Sequence, residues 1–531
     1  MELQRCGVWR AVPGAHQSGL VAHDGVRRGE VRMTTSTARG TTAALALLAC
    51  AAPLVIGVGP VASAAPGPAL TLEAAQRTVV LTRYEADDGD GGTVVFVEGD
   101  LGMHVVARGR AFEVRAVRAS YDEPVVLTLA GPGADRVLTT APDATGLPAF
   151  WTTTITNAAG KVVDRGTASF CPNGYEPVRR RPDAPATSPY PQGCQANPYT
   201  LGNVFGIQAG YAVPALTDPE AFSGLPPGSY TVTLAVRGDY ASALGMTPAQ
   251  SRASVAVRLV PGTFEEEPDH AGGDAARPAL RTGHTGPLGR RVRPTGPLPD
   301  LRSLPAWAIE VEDGRHLTFA ATVWNAGPGR LVVDGFRSAD PNRMRAYQYF
   351  FSSTGQQQGY APVGTMEWDA RDGHDHWHFT DFATYRLLDA RKQLVLRSGK
   401  EAFCLANTDV VDYLVPGANW RPSNTDLHTS CGGRGSLGVR EVLDTGSGDT
   451  YAQYLPGQSF DLRGLPNGTY FIEVRANPER ALYETRTGNN ASYRKVVVGG
   501  PAGQRTVTAE KVGRVDESGF LDDGEGAFLA R

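Results

Sequence analysis

Gly224 to Tyr240 reads GLPPGSYTVTLAVRGDY, and Gly464 to Glu479 reads GLPNGTYFIEVRANPE. Each leaves a Gly-Leu-Pro segment and enters a run whose apolar positions alternate, the period of a strand with one buried face. The likeness extends outward from these stretches. RGTASFC (165–171) parallels RSGKEAFC (397–404), each copy has a second cysteine downstream, and each sets a tyrosine 13 residues before its GLP, Tyr211 and Tyr451. Two such blocks predict an all-β chain of two related β-sandwich domains produced by internal duplication.

The rest of the chain fits that reading. A length of 531 residues exceeds what one hydrophobic core usually supports. The 63 glycines and 38 prolines punctuate many short Val/Thr-rich runs, and long helical periodicities are few. Residues 65–262 predict the first sandwich, 263–297 a Pro/Gly-rich linker, 298–498 the second sandwich, and 499–531 a flexible tail. The net charge of −4, with both signs interspersed, gives no basic patch for nucleic acid.

Residues 1–64 read as a leader. Within it, Met33 to Ala64 has one positive charge, Arg39, a long apolar stretch, and the small-residue ending Ala62-Ser63-Ala64, the build of a secretory signal peptide cleaved after Ala64. No other stretch approaches the roughly 20 apolar residues of a spanning helix. Removing the leader leaves Cys171, Cys194, Cys404 and Cys431. An even number in an exported chain predicts disulfides, most simply Cys171–Cys194 and Cys404–Cys431.

Arg371 to Phe379 reads RDGHDHWHF. On a strand, His374, His376 and His378 project to one face while Trp377 and Phe379 turn to the other. Imidazoles so placed suit copper or zinc. The outer pair would stand roughly 13 Å apart at their roots on a straight strand, so one shared ion requires a bend, which Gly373 could supply. Asp372 and Asp375 are candidate acceptors behind the imidazoles. The first block has no such cluster, and it carries Thr167 where the second carries Lys400. A copy that keeps scaffold residues but lacks these polar ones marks the polar ones as functional candidates.

In order and spacing, MEWDARDGHDHWHFTDFATYRLLD (366–389), SGKEAFCLANTD (398–409), DTYAQY (449–454), LPNGTYFIEVRANP (465–478) and ETRTGNNASY (484–493) resemble the catalytic domain of lysyl oxidases, as LPDL (298–301) resembles its start. The resemblance implies that His374, His376 and His378 bind copper and that Lys400 and Tyr451 are joined as lysine tyrosylquinone. It implies oxidative deamination of a primary amine, including peptidyl lysine of a secreted protein's partners, to an aldehyde, with O2 consumed and H2O2 and ammonia released. Asp372, Asp375 and Asp381 are candidates for the base that such chemistry needs, and His428 is a further candidate site group. Trp368, Trp377 and Phe382 read as core, and Asn489-Asn490 after Gly488 reads first as a turn. The sequence departs from the animal enzymes in having one cysteine pair in this domain, Arg371 and Asp372 ahead of the cluster, and Trp377 inside it. Two other classes remain: a non-catalytic secreted binding module with a structural zinc or copper, and a metal-dependent hydrolase, which lacks an accompanying HExxH motif.

Overall fold

The computed structural model describes residues 70–87, 92–175, 177–216, 219–263, 286–287, 289–370, 376–399, 402–421 and 427–520. The leader, most of the expected linker, Arg371 to Asp375, and Lys400 lie outside the described residues.

The chain is all-β apart from short helical turns such as Gly238–Leu244. Strands between Leu70 and Pro261 make three sheets, and strands between Leu301 and Ala509 make three more; no described sheet draws strands from both groups. Each half therefore holds one more sheet than a simple two-sheet sandwich predicts. In the second half, His316–Asn325 pairs with four other strands along its length, all within one sheet.

The two GLP segments are built alike. In the first, Tyr230 pairs with Asn157 on one side and Val257 on the other; in the second, Tyr470 pairs with Asp389 and Val496. Tyr230 O–H donates to the Pro226 carbonyl at 2.6 Å, and Tyr470 O–H donates to the Pro466 carbonyl at 2.8 Å. A tyrosine bonded four residues back ties the turn to the strand it starts, so the ring can be buried without stranding its hydroxyl. Both disulfides, Cys171–Cys194 and Cys404–Cys431, are formed.

Each half has its own core, one around Trp151, Phe150 and Phe205, the other around Trp377, Phe319 and Phe382. A further cluster joins them. Tyr199 of the first half is fully buried against Leu304, Trp307, Trp324 and Val411 of the second. The Thr200 hydroxyl donates to the Val410 carbonyl at 2.6 Å, and Leu201 N–H donates to Val411 O at 2.7 Å. Ser63–Arg531 accordingly packs as one compact unit.

Two expectations change. The described end of the linker does not stand away from the fold, because Val292 N–H donates to Tyr360 O and Tyr360 N–H donates to Arg290 O, adding an edge to strand Gln357–Asp369. The segment expected as a flexible tail forms strand Thr506–Ala509 and then crosses to the first half. There Arg514 N–H donates to Tyr121 O at 2.7 Å. Gly513 (φ +52°) permits that approach, since a Cβ there would stand 2.3 Å from the same carbonyl oxygen. Val512, Val515 and Phe520 pack on the shared cluster, and Glu517 accepts from Tyr199 O–H at 3.1 Å and Arg494 at 2.9 Å. Three spaced apolar residues and one acid suffice to dock a segment whose composition otherwise reads as solvated.

Candidate metal centre

Strand His376–Thr380 runs antiparallel to Gln357–Asp369, with Asp369 opposite His376, Trp368 opposite Trp377, and Glu367 opposite His378. The alternation separates the two chemistries as expected. Trp377 and Phe379 are buried in the second core. The Trp377 ring is fixed further by the Arg337 guanidinium over its face at 4.7 Å and by its Nε1–H, which donates to Gly433 O at 3.2 Å.

On the other face the His376 and His378 rings are neighbours, their centroids 4.5 Å apart. His378 is buried, at 1% exposure, and His376 is half-buried. Asp369 Oδ2 stands 3.6 Å from His378 Nδ1. This carboxylate was missed in the sequence, where Asp372 and Asp375 are nearer in number; its signal is the hairpin pairing that sets Asp369 beside the cluster. Among the described residues no group of three metal-ligating side chains converges. His376 and His378 make a pair, and His374, Asp372 and Asp375 lie outside the described residues.

The far edge of the histidine strand is covered by Ala402–Phe403, with Phe379 paired to Phe403 and Thr380 to Ala402. The Phe403 ring meets the Tyr451 ring edge-on, centroids 5.5 Å apart. Tyr451 ends strand Ser447–Tyr451, opposite Ala321, and its ring is half-buried against the second core. Phe403 thus stands on the strand next to the histidine strand, paired with Phe379 of the core face, and Tyr451, on a strand of another sheet, reaches it through the Phe403 ring.

Two further groups close this neighbourhood. Tyr385 is fully buried with its ring 5.9 Å from Phe403. Burial raises its phenol well above the usual tyrosine range, and the charges of Asp449 and Tyr451 add to the effect. Asp449 is buried two residues before Tyr451, on the same face of the same strand. That spacing was legible in the DTY motif, though of its two residues only Tyr451 stood out without the fold.

Other candidates fall elsewhere. Asp381 is exposed in the turn after the histidine strand, with φ +60°. His428 is exposed and lines a cavity between the halves. Asn489 and Asn490 do more than turn the chain: Asn489 Nδ2 donates to both oxygens of Asp300 at 3.1 and 3.2 Å, and Asn490 Nδ2 donates to Glu484 at 2.7 Å. They lock the LPDL segment to the end of the domain.

Residues 337–502 match the lysyl oxidase family. A 125-residue stretch is 33% identical to protein-lysine 6-oxidase of Rattus norvegicus, covering 23% of this chain and 26% of that protein. A 160-residue stretch is 24% identical to lysyl oxidase homolog 2 of Gallus gallus, covering 30% of this chain and 18% of that one. These matches span about a quarter or less of the relatives' length, and the family match, residues 337–502, falls on the half that carries the imidazole pair, Phe403 and Tyr451. The lysyl oxidase resemblance leaves the first half, Leu70 to Pro261, outside its span. The described residues contain no helix long and apolar enough to cross a membrane.

Proposed function

We propose that this chain is a secreted copper-dependent amine oxidase whose quinone forms from Lys400 and Tyr451. The observation that carries the reading is the stacking of three elements side by side: the strand bearing His376 and His378, the Ala402–Phe403 strand, and the Tyr451 ring against Phe403. Copper held by His374, His376 and His378, with the lysine tyrosylquinone, would supply the oxidation of a primary amine to an aldehyde, O2 taking up the electrons and ammonia and H2O2 leaving.

The chain's own residues have defined parts in this reading. Asp369, 3.6 Å from His378 Nδ1, would favour the tautomer with its proton there and so leave Nε2 available to hold the metal. Adjacent, largely buried imidazoles fit a nitrogen-liganded copper ion better than a hard cation, which takes oxygen ligands. Lys400 stands three residues before Phe403 in sequence, and the reading requires its amine to reach the Tyr451 ring. Phe403 excludes water from one side of the Tyr451 ring. Tyr385, whose phenol burial raises well above the usual tyrosine range, keeps its hydroxyl proton throughout the neutral range. The leader at Met33–Ala64 would export the chain to where disulfides persist.

The test is a redox-cycling quinone stain on copper-reconstituted, aerated protein beside Lys400→Arg. The reading expects staining in the wild type and none in the variant. Equal staining in both would remove Lys400 from the cofactor, and staining in neither would favour the binding-module alternative.

A further inference from the structure

Tyr451 and the histidines belong to different sheets. His376–Thr380 lies in one, and Ser447–Tyr451 lies in another, between His316–Asn325 and Asp409–Val410. Whatever holds that second sheet therefore sets where the Tyr451 ring stands relative to the imidazole pair.

Alternation gives the Tyr451 strand two unlike faces. Tyr451 stands opposite Ala321, and both pack on the second core, where the Tyr451 ring meets Phe403. Thr450 stands opposite Thr322 on the other face. Their hydroxyls are bonded at 2.6 Å, Thr450 O–H also donates to the buried Asp409 carboxyl, and Trp307 Nε1–H donates to Thr322 Oγ1 at 3.3 Å.

That second face is backed by the first half. Asn197 N–H donates to Thr200 Oγ1 at 3.0 Å and Tyr199 N–H to Asn197 Oδ1 at 2.9 Å, which folds the loop on itself. The loop then joins Asp409–Tyr413: Thr200 O–H donates to Val410 O at 2.6 Å, Leu201 N–H to Val411 O at 2.7 Å, and Tyr413 N–H to Gly202 O at 2.9 Å. Gly202 allows the approach, because a Cβ there would stand 2.3 Å from Asp412 Oδ1. The other edge of the same segment grips the Tyr451 strand, with Thr408 N–H donating to Gly448 O at 2.9 Å and Val411 N–H to Gly446 O at 3.0 Å. Tyr199 completes the backing. It is buried in one cluster with Ala320 and Trp324 of one flanking strand and with Val411 beside the other.

We propose that the first half is a positioning domain for Tyr451: through Tyr199, Thr200 and Leu201 it holds both strands that flank Ser447–Tyr451, and so fixes the Tyr451 ring against Phe403. This rests on the amine oxidase reading for its consequence, the rate at which quinone forms, and not for the holding itself. Joining two side chains of one chain is sensitive to placement, since a misplacement of about 1 Å can cost a factor of about 10² in rate.

The test uses the full-length protein with Thr200→Val, which keeps the shape of the side chain but has no hydroxyl to give Val410, and with Thr200→Ser, which restores it. Val232→Ala, a cavity in the first core, is the control for lost stability alone. Before copper is added, hydrogen exchange is read at Ser447–Tyr451 and at His376–Thr380. Thr200→Val is expected to speed exchange at Ser447–Tyr451 about tenfold and to leave His376–Thr380 within about twofold, a local opening. With copper and air supplied, the same variant is expected to bind copper with unchanged stoichiometry and form quinone about tenfold more slowly, with Thr200→Ser and Val232→Ala at the wild-type rate. Faster local exchange in Thr200→Val, in a protein whose wild type forms no quinone, would uphold the holding of the strand and sink the oxidase reading. Unchanged exchange at Ser447–Tyr451, exchange equally faster at His376–Thr380, quinone formed at the wild-type rate despite the local opening, or equal slowing in Thr200→Ser or Val232→Ala would overturn the positioning role.

Discussion

The Phe403 ring stands edge-on to Tyr451 with 5.5 Å between centroids, and its backbone is paired with Phe379 of the histidine strand. One side chain thereby spaces the candidate quinone tyrosine from the metal face. Phe403→Leu keeps the bulk of the buried volume but loses the aromatic edge, a contact of about 1 kcal/mol. The variant is expected to fold, bind copper with unchanged stoichiometry, and form quinone several-fold more slowly, as followed by visible absorbance after copper addition.

Asp369 is predicted to act on the metal through His378. Asp369→Asn should weaken copper affinity by roughly 10–100-fold, the usual effect of losing a ligand's supporting carboxylate. His378→Ala should abolish the stoichiometric site instead. Competition titration against a copper chelator separates the two, and indistinguishable variants would deny Asp369 this role.

The Asp409 carboxyl is fully buried, and burial lifts it to about 7, opposed by hydrogen bonds from Thr450 and Asn197. Folded protein therefore holds this proton more tightly than the unfolded chain does. The stabilisation is complete below about pH 4 and is lost as pH rises to about 7, in all roughly 4 kcal/mol. Asp409→Asn cannot lose it. The stability of the variant relative to wild type should rise between pH 4 and 8, measured by urea midpoints, and a constant difference would contradict the assignment.

Deleting residues 511–531 removes Val512, Val515 and Phe520 from the shared cluster and Glu517 from Arg494 and Tyr199. Half-burial of three such side chains contributes about 3 kcal/mol, so the truncated protein should unfold at lower urea. An unchanged midpoint would show that the docked tail adds nothing to stability.

Much of this was legible in the chain. Alternation alone separated His376 and His378 from Trp377 and Phe379, because strand geometry has a period of two whatever the fold. The GLP segments announced strands whose registers proved equivalent. Asp369 was hidden because its nearness to His378 comes from pairing across a hairpin rather than from spacing. Asn489 and Asn490 read as a turn because their partners, Asp300 and Glu484, become visible only when the two ends of the domain are brought together. Tyr199 carries no signal in the sequence, because its burial against Trp307 depends on how the halves dock.

The most direct measurement of the central claim is mass spectrometry of a proteolytic digest of full-length protein loaded with copper in air. The account predicts one species whose mass joins the Lys400 peptide to the Tyr451 peptide and which is absent from copper-free protein. Recovery of both peptides at their separate masses after copper loading would contradict it.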